Sequence, residues 1–173
     1  MPTIGVALAI PEPWASELQA YRASVGDATA TMIPTHITLV PPTEVLDSEL
    51  AEIEKHLTDV AQDSHAFCIH LRGTGTFRPV SPVVFVTVAE GISQCEALAA
   101  ACRRGPLDID LAFPYHPHVT VAHHLPDDAM DRAFEELAGF ESVFDAEEFH
   151  LYVHDDARGW RPNRDFRLLP AVD

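Results

Sequence analysis

Positive charge is scarce in this sequence. Eleven Lys and Arg stand against 27 Asp and Glu, a formal net charge of -16. So acidic a surface repels polyanions and excludes a long nonspecific grip on RNA or DNA. A small or terminal phosphate in a locally positive cleft remains compatible with it. Cysteine is scarce too, at three, an odd number without framework spacing. Cys95 and Cys102 fall among alanines on an expected helix and read as reduced core thiols of a cytoplasmic protein, not as a disulfide or a zinc site. Long apolar runs are missing. The N-terminal one, Ile4 to Ile10, ends at Pro11 and has no basic residue before it. It has strand length and reads as neither signal peptide nor membrane span. No Gly-x-Ser-x-Gly elbow with an orienting acid is present, which argues against a histidine-activated hydroxyl nucleophile. What the chain does have is apolar mass, 47% of residues, enough for a core in a single two-lobed domain spanning residues 1–173.

Taken in order, Gly5 to Ile10 reads as a buried strand, and Trp14, Leu18, Tyr21 and Val25 form one apolar helical stripe ended by Gly26. Pro34 precedes a strand at His36-Ile-Thr-Leu39 that Pro41-Pro42 is expected to close. Asp47 or Ser48 caps a second helix with Leu50, Ile53, Leu57 and Val60 inward. Phe67 to Leu71 is a strand, and Gly73 to Phe77 a turn-rich exit. Val83 to Val88 is the most hydrophobic strand. Ile92, Cys95, Leu98 and Cys102 mark a third helix, stopped at Gly105-Pro106. Asp127 caps a fourth helix after a strand at His118-Val-Thr-Val121. Phe149 to Val153 and Phe166 to Leu169 are the last expected strands, and the acidic stretch Asp145 to Glu148 reads as solvated surface.

The order repeats: strand, helix, His-x-Thr strand, helix, strand, turn with an aromatic. Phe67 follows His36 by 31 residues and Phe149 follows His118 by the same 31. Phe77 and Trp160 occupy matching places after the third strand of each copy. The expected fold is α+β, a bilobal pseudo-two-fold duplication (approximately 1–80 and 81–173) whose antiparallel sheets face a central cleft with helices outside. A strand alternates faces, so His36 and Thr38 share one face, as do His118 and Thr120, while the apolar residues between them point inward. If the pseudo-axis relates the two strands, both polar faces converge on one pocket. Opposed imidazoles suit phosphoryl chemistry: the neutral one takes a proton from the attacking oxygen, the protonated one gives a proton to the leaving oxygen. Two threonine hydroxyls suit non-bridging phosphate oxygens, where charge develops. No carboxylate cluster to hold a metal is evident, so no metal or cofactor is expected.

The motifs Pro34-Thr-His36-Ile-Thr38-Leu and Tyr115-His-Pro-His118-Val-Thr120-Val, with the duplicated order around them, resemble the 2H phosphoesterase superfamily, in particular its 2′-5′ RNA ligase and cyclic phosphodiesterase branch. The resemblance implies metal-independent opening, hydrolysis or transfer at 2′,3′-cyclic or 2′-5′ phosphodiesters of nucleotides or RNA ends. It places catalysis on His36 and His118 and phosphate binding on Thr38 and Thr120. It offers Phe77, by its place after the third strand, and its repeat mate Trp160 as base-stacking residues; Tyr115, within the second motif, and Arg158, as a cation that can reach a phosphate, are further candidate substrate contacts read from the chain itself. Arg158, Arg161, Arg164 and Arg167 crowd the C-terminal stretch, where acidic neighbours such as Asp155, Asp156 and Asp165 also balance them. A cytoplasmic monomer acting on small nucleotides or short termini is the resulting expectation. Two rival readings carry different signatures. A non-catalytic nucleotide or RNA-end binding module would bind without turnover. A zinc hydrolase built on the cluster of His116, His118, His123 and His124 is disfavoured because Pro117 intervenes and His124 would face opposite to His123 on a continuing strand, which leaves no convincing fourth ligand.

Overall fold

The computed structural model describes residues 1–172. Its elements run β1 (Thr3–Ala9), α1 (Trp14–Ser24), β2 (His36–Glu44), α2 (Leu50–Gln62), β3 (Phe67–Thr76), β4 (Val83–Glu90), α3 (Ile92–Cys102), β5 (His118–His123), α4 (Asp127–Glu136), β6 (Glu141–Ala146), β7 (Glu148–Asp155) and β8 (Gly159–Arg167). They build two four-stranded antiparallel sheets, ordered β2-β1-β7-β8 and β5-β4-β3-β6. The α+β class and the paired sheets agree with the reading of the sequence.

Strand alternation decides which way each sheet faces. In β1, Ile4, Val6 and Leu8 join the core, and in β2 Ile37 and Leu39 do, each at most 1% exposed. Val119 and Val121 of β5 are fully buried in the same way. Fully burying one such side chain contributes roughly 1.5–3 kcal/mol, so these rows hold the opposite, polar rows in register. The helices cover the apolar faces: α3 packs on β2 and α2 on β8, whereas α1 packs on β5 and α4 on β3, β4 and β5. Cys95 and Cys102 are buried free thiols, and burial pushes both up to about 12, as core thiols should be.

The third strand of each sequence repeat crosses over. Following α2, β3 pairs with β4, the first strand of the second half, and β7 pairs with β1, the first strand of the first half. The sequence halves and the sheets are therefore two different divisions of the chain.

Several boundaries depart from the sequence expectation. Pro41 and Pro42 do not close β2, which runs to Glu44. The strand is an edge pairing only with β1, where missing N–H groups face no partner. Gly73 to Thr76 is strand, not turn: Gly73 at φ +74° forms a bulge between Leu71 and Thr74 against β4. Asp145 lies in β6, an edge strand added to β3, because half-buried edges need only one apolar face. The last strand is Gly159–Arg167, not Phe166–Leu169. Its middle is polar because one face is solvated, so the apolar signal appears only near its end.

Candidate active site

The two His-x-Thr strands, β2 and β5, are the edges of their sheets, and they lie against each other. Each histidine is locked the same way. His36 Nδ1 lies 2.5 Å from the carbonyl of Pro34, and His118 Nδ1 lies 2.7 Å from the carbonyl of His116. A carbonyl only accepts, so each Nδ1 carries the hydrogen and each Nε2 is left for other partners. Both side chains are half-buried. Burial pushes both imidazoles below the ordinary 6.5, while the backbone contact opposes the shift. The Arg22 charge lowers His36 further, and the neighbouring His116 and His36 charges lower His118 further.

The halves are tied at this point. The Tyr115 hydroxyl donates to the Thr38 carbonyl across 2.7 Å, and the Arg103 guanidinium lies 5.3 Å from the Tyr115 ring centre. Burial raises the Tyr115 hydroxyl well above its usual value, which keeps it a donor.

Thr38 stands between two cavities. One, of about 130 Å³, is lined by His36, Thr38, Gly5, Ala7, Tyr152 and Trp160 among others. The second, of about 530 Å³, is lined by Thr38, His118, His116 and the segment from Ile109 to Tyr115. Thr120 lines neither. It pairs with Phe85, while Thr38 pairs with Ala7. That difference breaks the pseudo-symmetry. In the first sheet a small residue opposite Thr38 leaves the narrow cavity open, roofed by Trp160, whose ring would stand 3.5 Å from a Cβ at Gly5. In the second sheet the Phe85 ring covers Gly75, where a Cβ would come within 2.7 Å of it, and Phe77 packs on Phe85 with ring centres 4.5 Å apart.

Phe77 also meets His118 edge-on at 4.9 Å and His116 at 5.4 Å, so it contacts a motif histidine while lining neither cavity. Trp160 is held by its backbone N–H, which donates to the Met32 carbonyl across 2.8 Å. Gly159 before it takes φ +78°, and any Cβ there would run into the Met32 backbone. Arg158 sits exposed in the β7–β8 turn, lines neither cavity, and donates its backbone N–H to Asp155. Arg164 faces Glu54 at 3.5 Å and Arg167 faces Glu147 at 3.6 Å, so two of the C-terminal arginines have acidic partners.

Among the described residues, Glu148, His150 and Asp165 bring metal-binding atoms within 4.8 Å of one another. His150 Nδ1 is 2.6 Å from Asp165 and its Nε2 3.9 Å from Glu148, so the two carboxylates address different ring nitrogens. His123 and His124, on β5 and just beyond it, meet edge-on with ring centres 3.9 Å apart.

The sequence profile of the 2′-5′ RNA ligase superfamily matches residues 10–158. The chain belongs to the 2′-5′ RNA ligase superfamily. A Bacillus licheniformis protein provisionally named a phosphoesterase is 29% identical over 146 residues, covering 82% of this chain and 85% of its own. A similarly named protein from Bacillus cytotoxicus is 28% identical over 146 residues, with 82% and 83% covered. The fold is that of Escherichia coli LigT in its apo form, at a TM-score of 0.70 and 20% identity over 98% of this chain and 99% of that one. A Thermus thermophilus structure matches at 0.71 with 22% identity over 99% and 100%. LigT has been crystallised with 3′-AMP.

In this superfamily member the residues that shape the cavities, Gly5, Ala7, Tyr152 and the segment 109–113, were not foreseen from the sequence, nor was Phe85, which stands opposite Thr120. Smallness on the cleft-facing row of β1 (Gly5, Ala7, Ala9) was their one visible signal. Phe85 gave none, because an aromatic in an apolar strand reads as core.

Proposed function

We propose that this member of the 2′-5′ RNA ligase superfamily is a metal-independent phosphodiesterase acting on 2′,3′-cyclic or 2′-5′ phosphodiesters of nucleotides or short RNA ends. The observation that carries the proposal is the twin lock on His36 and His118: both Nδ1 atoms donate to a carbonyl two residues back, both Nε2 atoms are left for substrate, and the strands bearing them adjoin.

The asymmetry of the cavities supports a division of labour. A base stacked on Trp160 puts its ribose beside His36 and the phosphate at Thr38. For a cyclic phosphate, water enters from the opposite side. Its proton passes to Nε2 of His118, its oxygen bonds to phosphorus, and the P–O bond to the ribose breaks. The departing ribose oxygen takes the proton from Nε2 of His36. The Thr38 and Thr120 hydroxyls donate to the non-bridging oxygens. Run backward with a 5′-hydroxyl in place of water, the same proton transfers join two ends. That related LigT structures hold 3′-AMP and phosphate supports a nucleotide ligand here.

The test is turnover of nucleoside 2′,3′-cyclic phosphates in EDTA. His36→Gln and His118→Gln are each expected to lose roughly 10²–10⁴-fold in kcat while melting at the wild-type temperature. Wild-type-like turnover by either variant would overturn the proposal. Binding without turnover by the wild type would replace it with a nucleotide-binding module.

A further inference from the structure

The larger cavity lies across Thr38 from the Trp160 side proposed for the base, and a cyclic mononucleotide bound on that side leaves it unfilled. At about 530 Å³ it lies within the range of small-molecule sites, and it reaches the motif residues Thr38 and His118 directly. Its outer wall carries Phe113, 67% exposed, an aromatic face offered to solvent with nothing covering it among the described residues. Leu111 and Tyr115 continue the wall. The wall is pre-formed, because Tyr115 is pinned to the Thr38 carbonyl and Arg103 lies across its ring. No lysine or arginine lines it, and Asp110 does.

We infer that this cavity is the subsite for the second nucleoside of a diester, the one joined through its 5′-oxygen, with its base stacked on Phe113. The inference rests on reading His36 and His118 as the phosphodiester site. Continuity places the ligand. The phosphate at Thr38 has the Trp160 cavity on one side and the Phe113 cavity on the other, so a diester with a nucleoside on each side spans both. Charge limits it. A wall with one carboxylate and no cation favours a neutral group and disfavours a further phosphate. The subsite therefore selects a terminal nucleoside over one that carries a 3′-phosphate, in keeping with a chain of net charge -16.

The corresponding step balances without a co-reactant. The free 3′-hydroxyl of the ribose beside Trp160 gives its proton to His36, and its oxygen attacks phosphorus. The bond to the 5′-oxygen breaks, and that oxygen takes a proton from His118 as the nucleoside leaves the Phe113 side. The products are a 2′,3′-cyclic phosphate and a 5′-hydroxyl nucleoside.

The experiment measures kcat/KM for three compounds: 2′-5′-linked adenylyl-adenosine, the same dimer bearing a 3′-phosphate, and adenosine 2′,3′-cyclic phosphate. The ratio of dimer to cyclic phosphate is expected to fall about 10-fold in Phe113→Ala, the scale of one lost base stack, and to be restored in Phe113→Trp. Wild type is expected to handle the 3′-phosphorylated dimer less well than the plain dimer, and Asp110→Asn to narrow that gap. An unchanged ratio in Phe113→Ala, with both substrates still turned over, overturns the subsite and leaves the phosphodiesterase reading standing. If wild type turns over none of the three, that reading fails, and the subsite is then judged by the tryptophan quenching that Phe113→Trp shows in excess of wild type, whose own signal comes from Trp14 and Trp160. Excess quenching by the dimer but not by the cyclic phosphate supports it. Equal excess for both, or no excess, overturns it.

Discussion

The hydroxyl of Tyr115 donates to the carbonyl of Thr38, joining the segment before one His-x-Thr motif to the strand of the other. The contact crosses 77 residues of sequence and fixes the approach of the two strands. Tyr115→Phe removes the donor and keeps the ring under Arg103. The expected result is a loss of about 1 kcal/mol in stability and a several-fold drop in kcat, checked by denaturant titration and steady-state kinetics. Wild-type values for both would show that the contact positions nothing.

Protonation of the site should be visible in both rate and stability. Burial lowers His36 and His118 below 6.5, so the form with one proton between them prevails on the acid side of that value. The kcat/KM profile, which reports the free enzyme, is expected to peak below pH 6.5. An anionic phosphate beside two imidazoles favours their charged forms, so the kcat profile should shift to higher pH. Stability follows from the same shifts. Each imidazole is harder to protonate folded than unfolded, so the unfolded chain binds more protons as pH falls below 6.5. Stability is full above that value and declines as pH drops through the lowered ones, His123 contributing alongside. Melting curves of wild type and of the His36→Gln/His118→Gln variant from pH 7.5 to 4.5 check this, and equal slopes would contradict it.

Ala7 and Phe85 stand opposite the two motif threonines. Ala7→Phe would fill the Trp160 cavity as Phe85 covers the matching place. KM for cyclic nucleotides is expected to rise at least about 10-fold, one stacked base, with the circular dichroism spectrum retained. An unchanged KM would mean that the base does not use this cavity.

The segment carrying the Pro34 and Met32 carbonyls is fastened by a buried ion pair. Arg22 Nε lies 2.5 Å from Asp27, with the side chains 6% and 3% exposed, and Thr29 donates to the same carboxylate through its backbone and its hydroxyl. Burial raises Asp27, but these hydrogen bonds and the Arg22 charge outweigh it and hold the carboxyl below its usual range. Asp27→Ala strands a buried guanidinium and is expected to cost about 3–5 kcal/mol. Arg22→Met/Asp27→Leu should recover much of that loss. A double variant as unstable as the single one would show that packing of the segment, rather than the stranded charge, sets the cost.

Much of this was legible beforehand because it follows from periodicity. Ile37, Leu39, Val119 and Val121 had to face inward, which turned His36, Thr38, His118 and Thr120 to the other side. The equal spacing of 31 residues from His36 to Phe67 of β3 and from His118 to Phe149 of β7 pointed to a repeated order of elements, with β6 as an extra strand in the second half. What stayed hidden depends on pairing between distant strands. Nothing near Ala7 tells that it faces Thr38, and nothing near Phe85 tells that its ring covers Gly75. The polar strand β6 and the polar middle of β8 were missed because an edge with one wet face carries a weak apolar signal. Arg22 and Asp27 are charged residues at a helix end, and only the fold shows them buried.

The crossing of β3 and β7 has a mechanical consequence. Backbone cleavage near residue 80 would not release two independent bodies, since the first sheet would still be half composed of the C-terminal fragment and the second would still hold β3 from the N-terminal one. The two fragments clasp one another through the strands next to the edges that carry the His-x-Thr motifs. Drawing the fragments apart means tearing the ladders of β1 with β7 and of β3 with β4 and β6, so a cut in the connecting loop leaves both sheets whole.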